Sequence, residues 1–271
     1  WTIAAVPSTE WAQKVFPGET KARAVALLWD AILQTVRVSA DNDPVAAWKA
    51  HNETFARYAK ALNDAKFDTL EYKSANGTDF RVTLNPRGIW KGGCDKTLAG
   101  VQHNPNMPTE EVFCAPHRDR AEGRLVASLP LSHGGSRVEG IVLTFADGQV
   151  VDFDARAGKE TLASILNTDA GARRLGEIAL LPADSPIAGM NLLFYNTLFD
   201  ENAACHFALG RGYSECVRGG EAMDEAALLE AGVNQSLVHV DFMVGTRDLR
   251  IEGIRKDGSR APVFEGGVWA F

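Results

Sequence analysis

The chain has 271 residues, enough to bury a substantial core as one large domain or two smaller ones. Its 35 acidic and 28 basic side chains leave a formal charge of −7 and form no basic stripe, which argues against nucleic-acid binding. No apolar run reaches the roughly 18 residues needed to span a bilayer, so no membrane segment is expected.

The first third reads as helical. WTIAAVP has the pattern of a short strand, and Ser8-Thr9 then offers a cap for a helix through EWAQKVF. ETKARAVALLWDAILQTVRV repeats its apolar residues at helical spacing. Asp43 caps a third helix, PVAAWKAHNETFARYAKALNDA, with Pro44 in its first turn. The opening residues lack a Met and the basic start of a signal peptide, so the chain is expected to begin inside a longer polypeptide.

Past residue 66 the pattern shortens and alternates. DTLEYKSANGTDFRVTL predicts a hairpin turning at Asn76-Gly77, and RVEGIVLTFADGQVVDFDA another at Asp147-Gly148. Between them EGRLVASLPL reads as a strand, with the charged run HRDRAEGR before it as a solvated turn. KETLASILNTDAGARRL is expected to be helical, EIALLP a strand, and 196–209 a helix stopped by Gly210. EAALLEAG is a short helix, SLVHVDFMVG an apolar strand, and the tail a hairpin at Asp257-Gly258. The fold class is therefore α+β: a helical N-terminal part, 1–66, followed by a mixed β-rich domain with packed helices, 67–271.

Four cysteines, Cys94, Cys114, Cys205 and Cys216, lie far apart with no C-x-x-C pair, too sparse for a disulfide framework. They read as free or buried thiols in a reducing cytoplasm. Cys205 precedes His206, but neighbours on a helix do not face each other, so no Cys/His nucleophile is inferred.

Several acids and histidines stand where a core would not need them. On the strand LVHVDFMVG, His239 and Asp241 point to one face and Val238, Val240 and Phe242 to the other. Two polar groups inside an apolar run need partners, either each other or a metal. Glu177 opens an otherwise apolar strand, as a ligand or as a solvated residue at its mouth. Glu110 and Glu111, adjacent in NMPTEEVFCAP, point to opposite faces if extended, and an acidic surface patch is the plain alternative. Asp200 and Glu201 suit a helix start, where acids are favoured. His206, mid-segment among Ala204, Phe207 and Ala208, is harder to account for structurally, and Tyr213 lies beyond the Gly210-Arg211-Gly212 stop. Together these residues supply the carboxylates and imidazoles that hard-to-borderline divalent ions take. His51 is expected to be solvated on its helix, and His103, His117 and His133 to sit in loops.

In this order, NMPTEEVFCAP, LGEIALLP, NTLFDENAACHFALGRGY and HVDFMVG resemble the M29 family of metal-dependent aminopeptidases, the thermophilic-aminopeptidase (AmpS/AmpT) type. The resemblance runs nearly end to end and sets this chain against the C-terminal two-thirds of the family's longer chains. It implies a metal-binding catalytic domain at 67–271 holding two divalent ions, zinc, cobalt or magnesium. Glu111, Glu177, Glu201, His206, His239 and Asp241 would be the ligands, with Glu177 bridging. Tyr213 would stand beside the ions and Glu110 would act as general base. The implied substrates are peptides with a free N-terminus, and the implied assembly is a homodimer. Two other readings fit the residues alone: a dinuclear hydrolase of another ester or amide, and a non-catalytic metal-binding or interaction fragment.

Overall fold

The computed structural model describes residues 1–271. Three helices come first: α1 (Thr9–Val15), α2 (Lys21–Thr35) and α3 (Pro44–Ala65). Each begins at a polar cap. Ser8, Thr20 and Asp43 accept from the backbone N–H groups of Trp11, Arg23, and Val45 and Ala46, groups that the first helical turn leaves unpaired. The β-rich remainder opens with the expected hairpin of β1 (Thr69–Lys73) and β2 (Asp79–Leu84), turning through Gly77 at a φ of 101°. The two-residue strands β3 (Lys91–Gly92), β4 (Asp95–Lys96) and β5 (Gln102–His103) follow, then β6 (Val112–Cys114) and the long β7 (Pro116–Val126). Short strands β8 (Leu131–His133) and β9 (Ser136–Val138) lead to the second hairpin, β10 (Val142–Ala146) and β11 (Gln149–Asp154).

Helix α4 (Lys159–Leu166) precedes β12 (Leu175–Leu180), and α5 (Pro186–Met190) and α6 (Thr197–Asp200) precede β13 (His206–Gly210). The chain closes with α7 (Glu225–Glu230), β14 (His239–Met243), β15 (Arg250–Ile254), β16 (Arg260–Glu265) and β17 (Val268–Trp269). Two main antiparallel sheets result, beside the two-stranded pairs β4-β5 and β8-β9. The larger has eight strands in the order β11-β10-β7-β2-β1-β15-β16-β17, the smaller five in the order β14-β13-β12-β6-β3.

The main core is formed where the two sheets face each other. Ile178, Leu180, Phe207, Leu209, Val240 and Phe242 of the five-stranded sheet all belong to it, as do Tyr72 and Phe80 of the larger one. Phe207 joins the layers, its ring 5.1 Å from Tyr72 and 5.4 Å from Phe80. Truncating a ring so buried costs about 3–5 kcal/mol in a packed core. Because strand side chains alternate, residues 177, 206, 208, 239 and 241 must face away from this core.

The helical segment has no core to itself. Leu28 and Ile32 of α2 and Ala12 of α1 pack with Ile187 and the stacked pair Phe194 and Phe199. Phe55, Ala59 and Leu62 of α3 instead enter the main core. No helix is long and apolar enough to cross a membrane.

Four expectations are corrected. Residues 1–7 form no strand, only a single bridge from Ile3 to Asn106. HRDRAEGR is not a turn but the body of β7, paired with β2 on one side and, from Gly123, with β10 on the other. His51 is buried rather than solvated, its Nε2 2.7 Å from the Thr109 carbonyl and its ring against Trp48 and Phe55. Burial and the nearby Arg37 lower its pKa to about 4.

Most consequential is 196–209. It is helical only through α6 and one 3-10 turn, Glu201–Ala203, and Ala204 is then fully extended at φ −161° and ψ 161°. Alanine and leucine there satisfy helix propensity, but β12 and β14 offer backbone partners on both sides, and that pairing decides.

Gly210 ends β13 at φ +102°, where an added Cβ would lie 2.1 Å from the Val238 carbonyl oxygen. Gly210→Ala is expected to cost about 2–4 kcal/mol in denaturant unfolding. Gly77→Ala, also at positive φ but 3.7 Å from its nearest neighbour, should cost about 1 kcal/mol. Equal losses at the two positions would refute the close-approach argument.

Candidate metal centre

Three adjacent strands bring the polar residues together. In the ladder of β12 with β13, Glu177 lies opposite Ala208 and Ala179 opposite His206. In that of β13 with β14, Ala208 lies opposite Asp241 and Gly210 opposite His239. Directly opposed residues share a face, so Glu177, His206, His239 and Asp241 all project from one side. The positions among them, Ala208 and Gly210, are small and leave room. Phe113 of β6 lies opposite Ala179, which puts Glu111, two residues earlier, on that face as well. Glu201 comes from the 3-10 turn just ahead of β13, and Tyr213 from the loop just after it.

The donor atoms converge. Glu111, Glu177 and His206 form one triad and Glu177, His239 and Asp241 another, the ligand atoms of each lying within 4.8 Å of one another. His206 Nε2 is 3.3 Å from Glu111 Oε2, and His239 Nε2 is 3.1 Å from Glu177 Oε2 and 3.3 Å from Asp241 Oδ1. Each imidazole turns its other nitrogen to a backbone carbonyl: His206 Nδ1 to Ala204 at 3.2 Å, His239 Nδ1 to Arg211 at 2.7 Å. A carbonyl only accepts, so Nδ1 carries the hydrogen and the neutral ring keeps its Nε2 lone pair facing the carboxylates.

Glu201 belongs to neither triad but borders the same cavity, about 610 Å³ in volume, which the other five donors also line. Tyr213 shares that wall, its ring 4.8 Å from His239 and 6.4 Å from Phe113.

The electrostatics are those of a cation site. Burial pushes Glu177 up to about 7, with Glu111 and Asp241 adding to the rise and the His239 hydrogen bond opposing it. Burial, Asp241 and Glu111 likewise drive Glu201 well above the ordinary carboxylate value. Burial favours the neutral imidazoles, yet the carboxylates outweigh it and raise His206 to about 10 and His239 to about 11. Asp241 is held low despite its burial, by the His239 hydrogen bond and the charge of His206. Tyr213 is pushed up by burial and by all four carboxylates, so its hydroxyl keeps its proton. Four carboxylates and two imidazoles on one wall suit divalent ions in both donor type and charge, since two such ions neutralise four carboxylates.

Glu110 does not join them. It points to the other side of its segment, where its carboxylate meets Arg37 Nη1 at 2.7 Å and Nη2 at 2.9 Å. Burial raises its pKa and Arg37 opposes the rise. His103, His117 and His133 sit on β5, β7 and β8, and neither triad includes them.

Sequence reasoning missed the residues that brace the donors. Asn202, fully buried, accepts the Glu110 N–H at 2.7 Å and donates to the Leu198 carbonyl at 3.0 Å, tying the Glu111 segment to the Glu201 turn. Asn234 donates to the carbonyls of Gly171 and Gly210 at 2.8 and 2.6 Å and so anchors the end of β13. Asn202 stands next to a candidate ligand inside NAAC, a polar residue among small apolar ones, and that was its only signal.

Residues 1–269 match the family described as thermophilic metalloprotease (M29). Aminopeptidase 2 of Geobacillus stearothermophilus is 49% identical over 271 residues, which are 100% of this chain and 65% of the relative. The solved structure of wild-type AmpT from Thermus thermophilus superposes with a TM-score of 0.92 at 46% identity, covering 100% of this chain and 65% of that one. A 2,5-dihydroxypyridine dioxygenase from Pseudomonas putida KT2440 shares the fold alone, with a TM-score of 0.55 at 17% identity over 99% of this chain and 70% of its own. The chain thus spans 65% of the length of the two aminopeptidases. The family match takes in the helical first part as well as the sheets, which corrects the assignment of the resemblance to a C-terminal two-thirds.

With His206 at about 10 and His239 at about 11, both rings are charged at pH 7 without a cation. Cations must displace those protons, so affinity rises with pH up to about 11, less steeply past about 10 where His206 gives its proton up unaided and only His239 still holds one. Calorimetric titration with zinc at pH 7, repeated in buffers of different ionisation enthalpy, should record release of about two protons or more. Binding that releases none would mean the imidazoles are not displaced.

Proposed function

The chain belongs to the M29 family of thermophilic metalloproteases, and on that premise we propose that it is an aminopeptidase, removing the N-terminal residue of peptides with two divalent ions. The observation that carries this reading is the pair of donor triads with Glu177 common to both. One carboxylate serving two donor sets is what a bridged pair of ions requires. Glu111 and His206 complete one set, and His239 and Asp241 the other.

Zinc, cobalt or magnesium held there would polarise the scissile carbonyl and make water a nucleophile near neutral pH. The remaining tasks fall to the side chains. Tyr213, protonated and with its ring tilted against His239, donates a hydrogen bond to the carbonyl oxygen as it gains negative charge. A general base must reach the water's proton, and Glu110, engaged by Arg37 on the far side, is withdrawn from that role. Three carboxylates line the cavity outside both triads, Asp95, Glu201 and Glu215, and of these Glu201 lies close enough to Asp241, Glu111 and His206 to feel their charges. We assign it the transfer of the water's proton to the leaving amine; its raised pKa suits the protonated half of that cycle. The resemblance also carries a homodimer and a cytoplasmic location, and the second is supported by four free cysteines, three of them buried.

Two variants separate the roles. Glu177→Gln should abolish hydrolysis of leucine amide and lower the metal content found by elemental analysis, because both ions lose a donor. Glu201→Gln should reduce kcat by about 10²–10⁴-fold with metal content unchanged. An ion lost from Glu201→Gln would return Glu201 to the ligand set implied by its motif, and full activity in Glu177→Gln would end the bridge assignment.

A further inference from the structure

One cation on the donor face of the five-stranded sheet has no partner. Lys91 of β3 lies opposite Phe113, Phe113 opposite Ala179, and Ala179 opposite His206. These four residues therefore form one row on one face, running from the edge of the sheet to the donor cluster. Lys91, Phe113 and His206 all line the 610 Å³ cavity. The cavity's other lysine, Lys60 of α3, is in an ion pair with Asp64. Lys91, only partly exposed, has neither an ion pair nor a hydrogen bond from its ammonium.

Its place in the wall is well determined. Asn63 of α3 accepts the Trp90 N–H at 3.0 Å and donates to the Trp90 carbonyl at 2.9 Å, clamping the backbone just before Lys91. On the other side Gly92 lies so close to β6 that a Cβ would come within 3.1 Å of the Glu111 carbonyl oxygen. A cation fixed in this way, with no counter-charge of its own, suits an anionic group on a ligand.

The distance selects that group. β3 is two strand spacings from β12 and its Glu177, about 10 Å, and an extended peptide advances about 3.3–3.6 Å per residue. The four-carbon stem of lysine covers part of the gap. A peptide whose first amide lies at the donor cluster would thus bring its second or third residue to Lys91. The anion such a peptide carries there is its C-terminal carboxylate. Resting on the aminopeptidase reading of the same cavity, we propose that Lys91 is a subsite for the free C-terminal carboxylate, making di- and tripeptides the preferred substrates.

The test compares Leu-Gly and Leu-Gly-Gly with their C-terminal amides on the cation-loaded protein. The free acids should be preferred about ten- to a hundredfold, mainly through KM. Lys91→Met should bring that ratio close to one, and Lys91→Arg should restore most of it. A wild-type ratio near one overturns the proposal. So does a Lys91→Met variant that weakens acid and amide alike, which would make the lysine an anchor for a main-chain carbonyl. Calorimetry with a reduced-amide dipeptide that cannot be cleaved, as acid and as amide, separates this from the aminopeptidase reading. Acid-selective binding that Lys91→Met removes would uphold the subsite even without turnover, whereas brisk turnover with no selectivity would sink the subsite alone.

Discussion

Everything at the candidate centre hangs on the register of β12, β13 and β14. Glu177, Ala208 and Asp241 stand in one row across the three strands, with His206 and His239 two residues to either side of it. The same register sends Ile178, Phe207 and Phe242 the other way, into the core against the larger sheet. A slip of one residue in β13 would bury His206 among aromatic rings and expose Phe207 to the cavity, a double penalty. The core thus fixes the site: packing on one face of the sheet enforces the positions of donors on the other. Gly210 takes part by letting β13 end against Val238, where any Cβ would press on the Val238 carbonyl.

The donor face is stable only as a compromise. Four carboxylates on a largely buried wall repel one another and are poorly hydrated, which is why Glu177 and Glu201 are pushed up. Two imidazoles drawn up by those same carboxylates take protons in compensation. The protonated rings stand in for the positive charge that the arrangement is built around. Their Nδ1 bonds to backbone carbonyls mean that exchanging a proton for a cation requires no rotation of either ring.

Local rules carried much of the fold: the three capped helices, the hairpins at Asn76-Gly77, Asp147-Gly148 and Asp257-Gly258, and the alternating strand at His239 and Asp241 were all legible in the sequence. Convergence of the donors was not legible from spacing, because the ladders that align β12 with β13 and β13 with β14 are long-range. The motif resemblance named the donors, Glu111 over Glu110 among them, while alternation said only that those two point to opposite faces. Residues 196–209 misled because alanine, leucine and phenylalanine fit a helix as well as a strand when tertiary neighbours are unknown. Yet His206, Ala208 and Gly210 already alternate with Phe207 and Leu209 at period two, a pattern overshadowed by the helix start at Asp200. His51 and Asn202 were missed for a related reason, since each owes its burial to a segment distant in sequence.

The helical segment bears on the centre through a chain of contacts. Arg37, just past the end of α2, lies over Trp48 of α3 and grips Glu110. Nearby, His51 of α3 meets the Thr109 carbonyl. Asn202 then holds the Glu110 N–H from the opposite side, so residues 109 and 110 are fixed by three groups from three elements. Glu111 is the next residue along, and its carboxylate has no backbone donor of its own to orient it. Its direction is therefore inherited from its neighbours. The buried Arg37–Glu110 pair is costly to assemble and more costly to break, because loss of either partner leaves a charge uncompensated. Such a pair is poorly suited to add stability and well suited to hold one short segment in one orientation, and a bidentate guanidinium does so better than an ammonium would. Glu110 thus serves the centre through its backbone, and the adjacent acids divide the work: one holds the segment and the other presents a donor.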